Sequence, residues 1–426
     1  MKLLTLLFLL GQILMAATID TIEVGGVKVP LIYEKDSRLP LTTTQIVFTN
    51  SGSIKNTEIA GLASLSAKLL NEGTKKLGSS AFAELLEAKA IGISAHAGVE
   101  TFVIEASGLK EQYKEGMMRV GELLADPNYS EEALSKIKTM TLGALSRKEN
   151  DFDYIASKEL KKLLFEDGVL GKPASGTQES IEKVALSDVK NFLKENFVLS
   201  KAIVVVGGDI DVDEVKEEMQ KILFRLPKGK KESVAHFDVR KKPTTNILKR
   251  ETEQAYIYFG APFDIRESSD DFYKAKVATF ILGTGGFGSR LMEEIRVKRG
   301  LAYSAYARLH VAKSSNYLTG YLQTKTESMD EAKKTVEEVI AAFVKKGVTK
   351  EELEQTKKFL LGSEPLRVET MSQRLNRTFM EYYKGFELGH SDRELEKIKD
   401  LKLKDLNAFI KGHKEILELT FAIVTK

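Results

Sequence analysis

The stretch GTGGFGSRLMEEIRVKRGLAYSAY, residues 283–306, decides how this chain is read. A glycine-rich turn leads into a charged amphipathic helix, which closes on Arg299, Gly300, Leu301, Ala302 and Tyr303. Such a turn can cradle phosphate, clamp a substrate or merely begin a helix. A phosphate loop wants a preceding strand, a lysine and a following Ser or Thr. Here residues 274–282 read as helix, and no lysine follows the glycines directly. The density of arginine is left to explain. Arg290, Arg296 and Arg299, with Tyr303 and Tyr306, suit an extended peptide or a carboxylate, because guanidinium groups and phenols donate to such oxygens. Gly285, Gly286 and Gly288 let the backbone turn tightly beside them.

The rest of the chain narrows the classes available. Its 426 residues exceed one ordinary core and suit roughly two to four domains. Lys+Arg 64 against Asp+Glu 61 gives a net charge of +3, so no global field favours nucleic acid. Met1-Lys2, a nearly unbroken apolar run over residues 3–15, and Ala16-Ala17 read as a secretory signal peptide over residues 1–17. An uncleaved anchor is the alternative. A bacterial periplasmic location is therefore expected, with no membrane span after cleavage. With 0 Cys there is no disulfide, no lipid-attachment cysteine and no thiolate ligand.

In order, residues 19–33 read as a hairpin about Gly25-Gly26, and 42–50 as an alternating strand. Residues 61–72 have helical spacing, and Ser79-Ser80 is expected to cap the next helix. A hairpin about Gly98 follows, then helices over 110–125, 130–148, 153–165, 187–196 and 212–226, with KAIVVV at 201–206 as a buried strand. The polar run 227–243, bounded by prolines, reads as a linker. Beyond it come a strand at 255–260, a helix at 271–282, strands at 302–311 and 315–324, helices at 329–345, 349–362, 370–383 and 403–413, and a strand at 420–424. Ser130-Glu131-Glu132-Ala133-Leu134 answers Thr349-Lys350-Glu351-Glu352-Leu353, and residues 186–192 answer 403–409. These echoes predict an internal duplication. The expected fold class is α+β, with two homologous domains over 18–227 and 245–426, each an antiparallel-rich sheet flanked by helices, joined by a linker at 228–244.

Histidines give little. His96, His236, His310, His390 and His413 are all far apart, so no helix or turn presents a metal-binding pair. His96 with Glu100 is the one combination that a strand face could bring together. No Cys and no G-x-S-x-G elbow leave a nucleophilic triad without an anchor.

Residues 285–306 resemble the second-domain signature of the insulinase/pitrilysin-like (M16) peptidases, the family that includes mitochondrial processing peptidase. Gly61-Leu62-Ala63, Asn71-Glu72-Gly73-Thr74, the run from Gly171-Lys172-Pro173 to Ile181, and VVVGGDID look like parts of the first domain, so the resemblance covers essentially the whole mature chain. It implies an inverted zinc motif, H-x-x-E-H, between the G-L-A and G-T turns, with a distal Glu as third ligand. Here GLASLSAKLLNEGT puts Ser64 and Lys68 at the two His positions and Ala67 at the Glu. The distal position, near Ala144 and Leu145, is apolar. A hydroxyl, a methyl and an ammonium cannot bind zinc or activate water, and the charge on Lys68 repels a cation.

The resemblance also implies a substrate-holding Arg and Tyr seven residues apart, which Arg296 and Tyr303 match. Two-chain members of the family divide the labour between a zinc-bearing subunit and a zinc-less one. The expectation is a periplasmic, catalytically silent subunit with no cofactor of its own. It would pair with a zinc-bearing paralogue and bind unfolded peptide. Three alternatives stay open: a chaperone-like peptide-binding homodimer, a scaffold, and a zinc endopeptidase with displaced ligands such as His96 and Glu100.

Overall fold

The computed structural model describes residues 17–56 and 58–426. The expected signal peptide at 1–17 lies outside them apart from Ala17. In chain order the elements are β1 (Thr18–Val24), β2 (Val27–Lys35), β3 (Leu41–Thr49), α1 (Leu62–Leu70), α2 (Gly78–Glu87), β4 (Gly92–Ala97), β5 (Thr101–Leu109), α3 (Tyr113–Ala125), α4 (Glu131–Lys148), α5 (Phe152–Phe165), α6 (Gln178–Lys183), α7 (Leu186–Asn196), β6 (Ala202–Gly208) and α8 (Val212–Leu223). The later part adds β7 (Thr245–Lys249), β8 (Gln254–Pro262), α9 (Phe272–Thr279), β9 (Ala302–Val311), β10 (Asn316–Lys325), α10 (Met329–Lys346), α11 (Lys350–Gly362), α12 (Met371–Lys384), α13 (His390–Asp400), α14 (Leu403–Gly412) and β11 (Thr420–Thr425). This is an α+β protein with two mixed sheets, each flanked by helices.

The two sheets repeat one topology. The first runs β1-β2-β6-β3-β5-β4 and the second β7-β11-β8-β10-β9. In the first, β2 and β6 are parallel and every other pairing is antiparallel. In the second, β7 and β11 are the parallel pair and the rest are antiparallel. Apart from the added β1, the sheets match strand for strand.

Chain order does not divide the molecule. One compact unit gathers residues up to Met140, Glu179–Ser233 and Pro365–Tyr383, and the other gathers Thr141–Gln178, Val234–Glu364 and Lys384–Lys426. In the first unit the register sets Ile46 beside Ile104 and Phe48 beside Phe102 on one face, and Val47 beside Val103 on the other. Both faces are apolar, so both need cover. Phe197 stacks on Phe48 at 4.3 Å and meets Phe102 edge-on at 5.0 Å. The second face, with Ile32, Val47, Val103, Ile203 and Val205, packs against Leu375 and Tyr383 of α12.

The second unit does the same with a helix from early in the chain. Its main core joins Ile257, Phe259, Leu318, Leu322, Phe421 and Ile423 to helices α9, α10 and α14. The other face, at Tyr258, Tyr317 and Ala422, packs against Leu160, Leu164 and Phe165 of α5. Thus α5 and α12, which hold equivalent places in the two halves, each cover the sheet of the opposite half. Two glycines admit them. A Cβ on Gly207 would lie 2.5 Å from Leu375, and one on Gly260 would lie 2.8 Å from Leu164.

Local readings differ in places. Ser79 and Ser80 lie inside the first turn of α2, whose N-cap is Leu77, so they are not its cap. Thr74 Oγ1 instead accepts from the Leu77 amide at 3.3 Å. The helix expected over 271–282 is α-helical only to Thr279, after which residues Phe280–Thr284 widen into a π turn. Strand β7 and helix α13 went unread: β7 is short, and HSDRELEKIKD shows few apolar positions. The 227–243 run has no helix or strand, yet Val239 is buried and the Arg240 amide donates to Leu164 O at 2.9 Å.

Polar contacts lock the exchanged helices. Arg374 on α12 donates through Nε and Nη2 to Glu34 Oε1 at 2.9 and 2.5 Å, and through Nη2 to Asp36 Oδ2 at 3.3 Å. Glu34 is 2% exposed. Burial pushes its carboxyl above the usual range, against the pull of Arg374. Arg374→Met should therefore destabilise the chain by about 3–5 kcal/mol in urea unfolding, because it strands a buried acid. Adding Glu34→Gln should recover most of that loss.

On the second sheet, the His310 ring stacks on Tyr317 at 4.6 Å and its Nε2 lies 2.7 Å from Thr319 Oγ1. Burial first, then the charges of Arg308 and Lys161, lowers its pKa from 6.5 to about 4. The unfolded chain therefore takes up this proton before the folded one does. The contribution is present in full above pH 6.5 and is lost as pH falls toward 4. Urea midpoints measured across this window should fall less steeply for His310→Gln than for the parent chain.

Candidate functional site

The region opened by Gly283 is built differently from a plain amphipathic helix. After the π turn at Phe280–Thr284 and a tight turn at Gly286–Gly288, residues Arg290–Met292 make one α turn and Glu293–Lys298 make a second π turn. The Leu301 amide reaches back to Ile295 O at 2.8 Å and closes it. Wide turns of this kind often occur at functional sites. Glycine is required where the segment touches β9, since a Cβ on Gly283 would lie 2.2 Å from the Ala307 nitrogen. Gly286 takes φ +61°, in open space. Gly285 precedes it, packed against Phe280.

Structure separates the five aromatic and basic residues that the sequence grouped. Arg290 donates through Nε and Nη2 to the two carboxylate oxygens of Glu352 at 2.6 and 2.8 Å, beneath the Phe343 ring. Burial opposes ionisation of Glu352, but Arg290 and the Thr349 amide hold its pKa below the ordinary value. Arg299 pairs with Glu294 Oε2 at 2.7 Å. Tyr306 lies against Tyr321 at 5.6 Å, on the sheet face opposite Ala305 and Ala307. Arg290 anchors the turn to α11, and neither it nor Arg299 joins Tyr303.

Arg296 and Tyr303 do come together. The guanidinium carbon of Arg296 lies 4.2 Å from the Tyr303 ring centre and 4.5 Å from the Phe287 ring centre. Arg296 is thus held between two aromatic faces, a cation–π arrangement. Tyr303 is 80% exposed and Phe287 64%. Among the described residues Arg296 has no carboxylate at ion-pair distance. Its N–H groups are available to a ligand's carbonyl or carboxylate oxygens. Phe287, a lone aromatic between glycines, gives no periodic signal in the sequence, and its stacking partner lies nine positions on.

In the first unit, α1 keeps its helical form without the chemistry of a metal site. Gly61 at φ +90° begins it, and Asn56 Oδ1 accepts from the Ala63 amide at 2.8 Å. Asn71 follows it, bridging to β4 by donating to Ala95 O at 3.0 Å and accepting from the Ala95 amide at 2.7 Å. Ser64 is half-buried, Ala67 is buried and Lys68 is exposed. This donor set does not fit zinc. Ala144 and Leu145 on α4 are likewise without ligand atoms. His96 is exposed on β4, whereas Glu100, in the turn after it, accepts from the Tyr383 hydroxyl at 2.7 Å. Among the described residues, no group of three or more His, Cys, Asp or Glu could hold a metal ion, and no helix is long and apolar enough to cross a membrane.

Comparison with known proteins agrees with this architecture. Residues 183–360 match the family described as the peptidase M16 inactive domain. A Helicobacter pylori protein named non-peptidase homolog YmxG is 44% identical over 423 residues, covering 99% of this chain and 98% of that one. A Bacillus subtilis protein named uncharacterized zinc protease YmxG is 24% identical over 332 residues, covering 78% and 80%. The crystal structure of a peptidase M16 inactive domain from Pseudomonas fluorescens superposes with a TM-score of 0.87 at 20% identity, covering 96% of this chain and 98% of that one. With near-complete alignment to one relative, a matching family domain and the same fold, the chain belongs to the M16 peptidase family.

Proposed function

We propose that this chain is a non-catalytic M16 subunit of the bacterial periplasm that binds unfolded peptide for hydrolysis by a zinc-bearing paralogue. One observation carries the reading: Arg296, without an acidic partner among the described residues, is held against Tyr303 on an exposed surface, while α1 has Ser64, Ala67 and Lys68 in place of a metal-binding set. The name of the Helicobacter pylori relative, non-peptidase homolog, supports the same conclusion.

In this reading the Arg296 guanidinium and the Tyr303 hydroxyl donate to carbonyl oxygens of the bound peptide. Stacking holds the guanidinium plane in advance, so little freedom is lost when a peptide arrives. Donors fixed where charge develops in a transition state contribute most to rate. The bond is broken on the partner, and this chain supplies binding and orientation. The signal peptide expected at residues 1–17 gives the periplasmic address.

The test is reconstitution with a zinc-bearing M16 paralogue from the same host and a fluorogenic peptide. The chain alone should be inactive, and the pair active. Arg296→Ala should lower kcat/KM of the pair by about 10²–10³-fold, the size of losing one well-placed donor. Tyr303→Phe should lower it about tenfold, the effect of one hydrogen bond. Full activity in both variants would sink the proposal. Copurification of a self-paired chain that binds peptide without any zinc subunit would favour the homodimer instead.

A further inference from the structure

The second sheet sets an arginine and a histidine two positions apart on one strand. On β9, alternation sets Tyr306, Arg308 and His310 on one face. Register places Arg308 opposite Thr319 and His310 opposite Tyr317 on β10. Helix α5 covers part of this face, where Phe165 meets Tyr317 edge-on at 5.2 Å. Lys161 lies one helical turn before Phe165, on the same side of α5. Among the described residues, neither Lys161 nor Arg308 has a carboxylate at ion-pair distance.

The three groups feel one another. Although solvent reaches Lys161, its ammonium is crowded enough that burial first, and the charge of Arg308 second, lowers its pKa. His310 is depressed by burial and then by both cations. No acid appears among the influences on either group. The two cations set together repel, and a bound anion would remove that cost. Next to them lies an aromatic floor, in which Tyr306 and Tyr321 are 5.6 Å apart; Tyr258, 4.7 Å from Tyr321, lies under α5 and donates to Asp153 Oδ1 at 3.2 Å. An inorganic anion would have no use for such a floor, whereas a peptide would place apolar side chains on it.

We propose that Lys161, Arg308 and His310 form a carboxylate-binding site for an acidic side chain of an extended peptide, whose apolar neighbours lie on Tyr306 and Tyr321. The guanidinium fork of Arg308 receives the carboxylate, Lys161 adds a point charge, and His310, already tied to Thr319, limits the shape of the site. The proposal takes its ligand, a peptide, from the reading above and adds a preference to it: acidic sequences bind better than their amide counterparts.

The experiment is fluorescence anisotropy in low salt on the full purified chain. The probes are a labelled peptide containing Glu and the same peptide with Gln at those positions. The Glu peptide should bind about tenfold tighter, the size of one good charge-assisted contact. Arg308→Gln with Lys161→Gln should abolish that preference and leave the thermal midpoint no lower than that of the parent chain. Arg308→Lys should restore part of it. Equal affinity for the two peptides, or a preference that survives in the double variant, would overturn the proposal. Competition by inorganic phosphate as strong as by the Glu peptide would also overturn it, in favour of a small-anion site. Arg296→Ala separates the two ideas, because it should weaken both peptides equally. If it has no effect while the Glu preference persists, only the earlier reading falls; if no peptide binds, both fall.

Discussion

Each sheet of this protein carries apolar residues on both faces, and a sheet of that kind is stable only when helices cover them. The chain meets the constraint by exchange. Helix α5, from the first half, seats Leu160, Leu164 and Phe165 on the second sheet, and α12, from the second half, seats Leu375 and Tyr383 on the first. Gly207 and Gly260 are the complement of this arrangement, since each leaves the space that a leucine of the arriving helix fills. The buried Arg374–Glu34 pair, with Asp36 beside it and the Tyr383–Glu100 hydrogen bond, adds direction to a largely apolar contact.

The same economy of charge explains the site on the second unit. Of three nearby arginines, Arg290 and Arg299 are engaged by Glu352 and Glu294. Arg290 ties the turn to α11, and the capping box of that helix, Thr349 with Glu352, shares the carboxylate. What holds Arg296 is aromatic: Phe287 on one side and Tyr303 on the other. An ion pair would have quenched its charge, whereas aromatic faces orient the guanidinium and leave its N–H edge for other oxygens. The π turn at Glu293–Lys298 sets the spacing that lets residues seven apart meet, one from a helical turn and one from a strand.

Much of this was legible in the residues. Alternation at 42–50 and the apolar run at 201–206 read as strands because strand periodicity is a local property. The paired echoes at 130–134 and 349–353 read as a duplication, and the two sheets share one topology. The incompatibility of Ser64, Ala67 and Lys68 with zinc needed only their chemistry. Other features were hidden for physical reasons. Arg290 and Arg296 look alike in a sequence, and their difference lies in Glu352, sixty-two positions away. Phe287 gave no periodic signal among glycines. Helix α13 was masked by its charge, because Leu395 and Ile398 are too few to show a stripe.

The sequence by itself determined the α+β class, the twofold repeat, the absence of metal-ligand residue types at Ser64, Ala67 and Lys68, and the Arg–Tyr spacing, since each is written in residue type or short-range period. Tertiary structure alone decided which helix covers which sheet, which arginine remains without an acid, and that α5 lies over the face that carries His310 and Tyr317. Those outcomes depend on contacts between residues tens to hundreds of positions apart, and local preference carries no record of them.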